Sequence, residues 1–168
     1  MLGFGKDKGK SGGTGKLIPL QPLARRHALL SEALAYWEAL RAGRDVPLRA
    51  DLNPRGLERA LDQALLLERI APGHARIRLA GQKVSALLGI ELRGMPLSVL
   101  FTTQMRAPLS EALEHVFSGP EIADITLRSD GAYGRPVLTG RLLLLPLRSD
   151  LGDITRALGV LVTEGDLG

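Results

Sequence analysis

VLTGRLLLLPLRSD, residues 137–150, followed by LGDITRALGVLV, residues 151–162, decides the architecture of this chain. Its two apolar runs, Leu142–Leu147 and Ala157–Val162, do not alternate with polar residues, as a strand with one wet face does. They read as neighbouring central strands buried on both faces. Such a sheet needs a covering layer on each side, and helical segments lie before and between the strands to supply them. Pro146 removes a backbone donor, so the first strand is expected to bulge or end there.

Working outward, Ala123, Ile125 and Leu127 alternate with Asp124, Thr126 and Arg128, which gives a one-faced strand over 121–129. A turn around Ser129-Asp130-Gly131 joins it to the central pair. Thr103–Phe117 carries Met105, Leu109, Leu113 and Val116 at helical spacing, with Pro108 either kinking this helix or beginning it. Gly89, Gly94 and Pro96 punctuate shorter helical material between Gly81 and Leu100. Further upstream, Leu65–Ile70 and the alternating Arg76–Ala80 flank a turn at Ala71-Pro72-Gly73-His74, a β-hairpin. The patterns make 65–70, 137–147 and 154–163 central strands and leave 75–81 and 121–129 at the edges.

Arg26–Ala42 places Leu30, Ala33, Leu34, Trp37 and Leu40 on one helical face, with Gly43 as its stop. That stripe must be covered by the outer side of the sheet or by a second subunit. Asn53-Pro54 fits an N-cap with proline at the first helical position, followed by an inward face of Leu57, Ala60, Leu61 and Ala64.

The 168 residues fit one domain and a tail, with 45% hydrophobic content sufficient for a core. The net charge is +4, yet Lys6, Lys8, Lys10 and Lys16 against Asp7 place +3 of it in the first sixteen residues. A body near +1 lacks the basic face of a nucleic-acid binder, so no nucleic acid is expected as a partner. That Gly/Lys/Ser-rich leader, residues 1–20, has no apolar period and reads as a disordered tail. Gly9-Lys10-Ser11-Gly12-Gly13 mimics a nucleophile elbow, and Gly5–Ser11 resembles a phosphate loop. The first lacks its strand and helix, and the second has Phe4 where its leading glycine belongs.

The chain has no cysteine, which removes disulfides, thiolate metal sites, cysteine nucleophiles and cysteinyl-flavin chemistry. No apolar run approaches the roughly 20 residues of a membrane helix, and no signal-peptide core follows the charged N-terminus. The expected location is the cytoplasm, without membrane insertion. His27, His74 and His115 match no metal spacing, and no Ser/His/Asp arrangement has a recognisable signature. Asp150 and Asp153 fall in a Gly-containing turn, where capping and solvation account for them. The chain is therefore expected not to be an enzyme.

The element order and the sheet positions resemble a PAS domain. The resemblance covers about residues 25–165 and rests on AYWEALRAGRDVPLRADLNP, RIRLAGQKVSALLGIELRGMPLSVLF and GRLLLLPL. It is strongest towards the small PAS proteins common in alphaproteobacteria, with Trp37, Arg49, Pro54, Gly81, Gly89, Gly94, Leu97, Phe101 and Pro146 as landmarks. It implies an α+β fold with a five-stranded antiparallel sheet, order 2-1-5-4-3. Helices cover the inner face, and the N-terminal helix lies on the outer face or at a dimer interface. Residues 21–64 would form the N-terminal helix, arm and short helix, and 65–165 the PAS core.

The function implied is a non-catalytic sensory or protein-interaction module of signal transduction. With no output region attached, it would act through a signalling partner, as a homodimer. A small hydrophobic ligand would sit between sheet and helices, lined by Leu79, Val84, Leu88, Phe101, Met105, Leu109, Ile125, Leu127, Leu143 and Leu145. Arg78 or Arg141 would supply a polar contact at its edge. No cofactor is assigned. The alternatives are a ligand-free dimerisation adaptor whose same residues are simply core, a haem sensor using His115 as axial ligand, and an enzyme with an unrecognised site.

Overall fold

A computed structural model describes residues 4–6, 16–17, 27–129 and 139–164. The turn expected at Asp130-Gly131 and most of the N-terminal tail lie outside these residues. The strands are β1 (Phe4–Lys6), β2 (Lys16–Leu17), β3 (Ala64–Ala71), β4 (His74–Ala80), β5 (Ala123–Ser129), β6 (Thr139–Leu147) and β7 (Arg156–Glu164). The helices are α1 (Ala28–Arg41), α2 (Gln82–Leu88) and α3 (Thr103–Ser118).

The five long strands run antiparallel in the order β4-β3-β7-β6-β5, which is second, first, fifth, fourth, third in chain order. β3, β7 and β6 are the central strands, as their unbroken apolar runs require. β1 and β2 lie along the outer edge of β5. Five residues expected in a disordered tail are thus strand-paired.

Pro146 neither bulges nor ends β6: it pairs with Ala157, and Leu147 continues to Arg156. The reason lies in the ladder. The Arg148 amide donates to Pro47 O at 2.9 Å and its carbonyl accepts from Arg49 N at 2.7 Å, so Arg148 points away from β7. Pro146 shares that direction by alternation. β5 begins at Ala123, opposite Leu144, so no ladder donor is needed at 146 on that side.

α1 is shorter than expected. His27 caps it, its Nδ1 accepting from Leu29 N at 3.2 Å, and Ala42 takes the left-handed closing conformation (φ 50°) immediately before Gly43. The short helix after Asn53 is a 3-10 turn over Pro54–Leu57, with Asn53 Oδ1 accepting from Arg55 N at 3.0 Å. A second such turn covers Leu61–Gln63. Leu57 and Ala60 face inward there, but Leu61 is exposed.

Candidate functional site

The two faces of the sheet carry separate apolar clusters. On the inner face Leu65, Leu67, Ala75 and Ile77 meet Ile125, Leu127, Leu142, Leu144, Ala157 and Leu161 beneath Val84, Leu97, Phe101, Met105, Leu109 and Leu113. This is where a chamber between sheet and helices would lie. Every member of the cluster is apolar.

Six of the expected lining residues belong to it: Val84, Phe101, Met105, Leu109, Ile125 and Leu127, each at most 2% exposed. Leu88 packs at its margin. The other three do not line it. Leu143 and Leu145 lie in the outer cluster, while Leu142 and Leu144 take the inner positions. Ile125 faces Leu142 and Ala123 faces Leu144 across the ladder, and directly opposed residues share a face. The alternation within β6 is as expected, but its phase is reversed. A run that is apolar on both faces carries no signal of which parity points inward.

Leu79 is 52% exposed for a different reason. Leu66 pairs with Leu79 and Leu67 with Ile77, so Arg78 is an extra residue on β4. This bulge reverses the side-chain parity beyond Ile77. Leu79 is turned to the outer face beside Leu66, and Ala80 is turned in against the inner cluster.

Neither arginine expected at a ligand's edge is near the inner face. Arg78 binds Glu68 on the outer face at 2.7 Å, and Arg156 reaches the same carboxylate at 3.0 Å. The Arg78 guanidinium holds the Glu68 carboxyl below its ordinary range against the opposing effect of desolvation. Arg141 forms a two-pronged pair with the buried Asp124 across β6 and β5, Nε lying 3.2 Å from Oδ1. His115 is exposed on the opposite side of α3 from Leu109, Leu113 and Val116, so it is not placed to ligate a haem in this space.

The outer cluster is covered by α1 of the same chain. Leu30, Ala33, Leu34 and Trp37 pack on Leu143, Leu145, Leu147, Leu158, Val160 and Val162, whereas Leu40 is only half-buried and stands outside the cluster. The Trp37 indole Nε1 donates to Pro146 O at 2.8 Å, using the carbonyl that the ladder leaves free. Asp45 of the following arm pairs with Arg148 at 2.8 Å, and that guanidinium lowers its pKa.

A third link fixes the helical layer. Glu114 of α3 accepts from Arg69 Nε and Nη2 at 3.2 and 2.9 Å and from the Gly73 amide at 2.7 Å. The Arg69 guanidinium holds the Glu114 carboxyl below its ordinary value of 4.5; desolvation opposes this, and the Gly73 amide adds to it.

The sequence profile of the PAS domain family matches residues 25–162, the whole body from α1 to β7. This chain belongs to the PAS domain family. Among solved structures, the chain is similar at low identity to PAS and LOV domains. The light-state LOV domain of the blue-light photoreceptor aureochrome 1 is 15% identical over 67% of this chain and 88% of that one, with a TM-score of 0.48. The wild-type Drosophila melanogaster Cycle PAS-B domain with bound ethylene glycol is 12% identical, over 60% of this chain and 99% of that one, with a TM-score of 0.45. A sensory box histidine kinase/response regulator from Burkholderia thailandensis is 14% identical over 68% and 86%, with a TM-score of 0.42. No curated protein matches the chain.

Within the PAS frame the conspicuous absence is chemical: a chain with no cysteine cannot form a flavin–cysteinyl adduct. Among the described residues no group of three or more metal-ligating side chains converges, and no helix is long and apolar enough to cross a membrane.

Proposed function

We propose that this PAS domain is a non-catalytic module of bacterial signal transduction that works in the cytoplasm through protein contacts, its inner face being a packed core. The observation that supports a packed core is the neighbourhood of Gly159. A Cβ placed there would lie 3.3 Å from Leu65 Cβ and 3.5 Å from Leu144 Cδ2, so the side chains of the two flanking strands already close over the glycine.

The second reading, a sensor for a small hydrophobic ligand, is favoured by the wholly apolar character of the same cluster. Leu127→Trp separates the two. A packed core loses about 1–3 kcal/mol to overpacking, whereas a preformed cavity accepts the ring at little cost. Chemical denaturation of the variant reads this directly. An unchanged midpoint, together with a compound retained by the wild type, contradicts the packed-core reading.

A further inference from the structure

The outer face of the sheet is covered unevenly. α1 and the 3-10 turns lie over β6, β7 and the start of β3, and among the described residues no member of β4 belongs to the outer cluster. The backbone edge of β4 is nevertheless closed. Ile77 N donates to Met95 O at 2.8 Å, Gly94 N donates to Ile77 O at 2.7 Å, and Arg76 pairs with Pro96 in an isolated bridge. A partner therefore meets β4 through the side chains of its outer face rather than by adding a strand.

The bulge at Arg78 decides what those side chains are. A regular strand would send Leu79 inward with Ile77, two positions away. The extra residue instead sets Arg78 and Leu79 side by side on the outer face, where Arg78 reaches Glu68 and Leu79, 52% exposed, stands opposite Leu66. Bulges re-aim side chains, and this one brings an apolar side chain into solvent beside an arginine.

The charges around it are unbalanced. Arg78 and Arg156 take the two oxygens of Glu68 at 2.7 and 3.0 Å, and Arg76, opposite Glu68 in the register, also favours its charged form. Three guanidinium groups thus share one carboxylate. Asp153, which Arg156 also influences, is committed to the Ser149 hydroxyl. The Arg78 side chain is 43% exposed and gives Glu68 its Nη2, so Nε and Nη1 remain as donors for a second carboxylate.

We propose that the outer face of β4 around Arg78 and Leu79 docks an acidic amphipathic helix of a partner protein. One carboxylate of that helix completes the Arg76, Arg78 and Arg156 group, and its apolar side covers Leu79. This rests on the protein-contact reading above and names its surface and its partner. A helix fits because α1 already covers the neighbouring half of the same face, and a second helix beside it extends an existing layer. Clusters that hold a protein on anionic lipid carry about 4–8 basic residues, so three arginines around a carboxylate favour a protein segment.

The probe is the peptide acetyl-Glu-Leu-Glu-Glu-Leu-Leu-Glu-Ala-Leu-Glu-Glu-Leu-amide, titrated to about 1 mM into the isotope-labelled full-length chain, a range in which weak docking registers. Amide chemical-shift changes are expected to concentrate at Arg76–Ala80 and Arg156. Arg78→Glu is expected to bind the peptide at least about tenfold more weakly, and Leu79→Ser also more weakly than wild type. The same peptide with Lys for every Glu is expected to prefer Arg78→Glu to wild type, which a merely misfolded variant would not show. Both side chains are exposed, so unchanged melting curves are expected for both variants. Absent shifts, shifts centred elsewhere, or equal affinity for wild type and Arg78→Glu overturn the proposal. So does a wild-type dimer in light scattering that Leu79→Ser splits, because the face then takes a second copy. Co-sedimentation with phosphatidylserine vesicles that Arg78→Glu abolishes, without peptide binding, gives the face to lipid and overturns it too. Each of these outcomes leaves the packed-core test at Leu127 untouched, so the two readings fall separately.

Discussion

The indole of Trp37 is 3% exposed between α1 and the sheet, and its one polar atom reaches the Pro146 carbonyl, which lies beyond the stretch of β6 paired with β5. Truncation therefore removes both a large buried ring and a hydrogen bond. Trp37→Ala is expected to destabilise the protein by about 3–5 kcal/mol. Trp37→Phe keeps most of the packing but leaves Pro146 O unsatisfied, at a cost of about 1–3 kcal/mol. Urea unfolding of the three proteins checks the order; a Phe variant as weak as the Ala variant contradicts the role given to the hydrogen bond. The helical stripe in the sequence made Trp37 legible as a covered residue. Its bond to Pro146 was not, because a contact across 109 positions depends on where β5 ends.

At the scale of elements, Glu114 ties α3 to the β3–β4 hairpin through Arg69 and the Gly73 amide. A carboxyl with its folded pKa lowered adds stability that is complete above its ordinary value and is lost as the pH falls through the folded value. Here that window opens below about 4.5. Glu114→Gln is expected to weaken the protein at pH 7 and to flatten the fall in melting temperature between pH 5 and pH 3. Parallel acid profiles for variant and wild type contradict the clamp. Elements themselves were well marked in the sequence: the hairpin, α3 and all five long strands follow from periodicity or from unbroken apolar runs. What escaped was phase. One-faced β5 announced its inner residues, but β6 and the end of β4 did not, since the first is apolar on both sides and the second changes parity at Arg78. Three of ten expected lining positions turned outward for these two reasons.

Taken as a whole, the molecule is a sheet between two layers, α1 outside and the α2–α3 segment inside. Both apolar clusters fall within residues 30–162. Among the described residues the tail adds five paired residues at one edge, and cross-strand pairs contribute a few tenths of a kcal/mol each. Deleting Met1–Lys16 is therefore expected to lower the melting temperature by no more than about 2–4 °C. A larger loss means that the tail belongs to the core.

The layer order was legible because a sheet buried on both faces demands it. Whether the inner layer encloses a ligand was not, because core and chamber are lined by the same side chains. Native mass spectrometry of the full-length protein, purified from its own host without denaturation, tests that point most directly. The account predicts a subunit mass equal to that of the polypeptide alone, in every charge state. A stoichiometric small molecule, retained under gentle conditions and released on unfolding, would contradict the packed inner face and make the domain a ligand sensor.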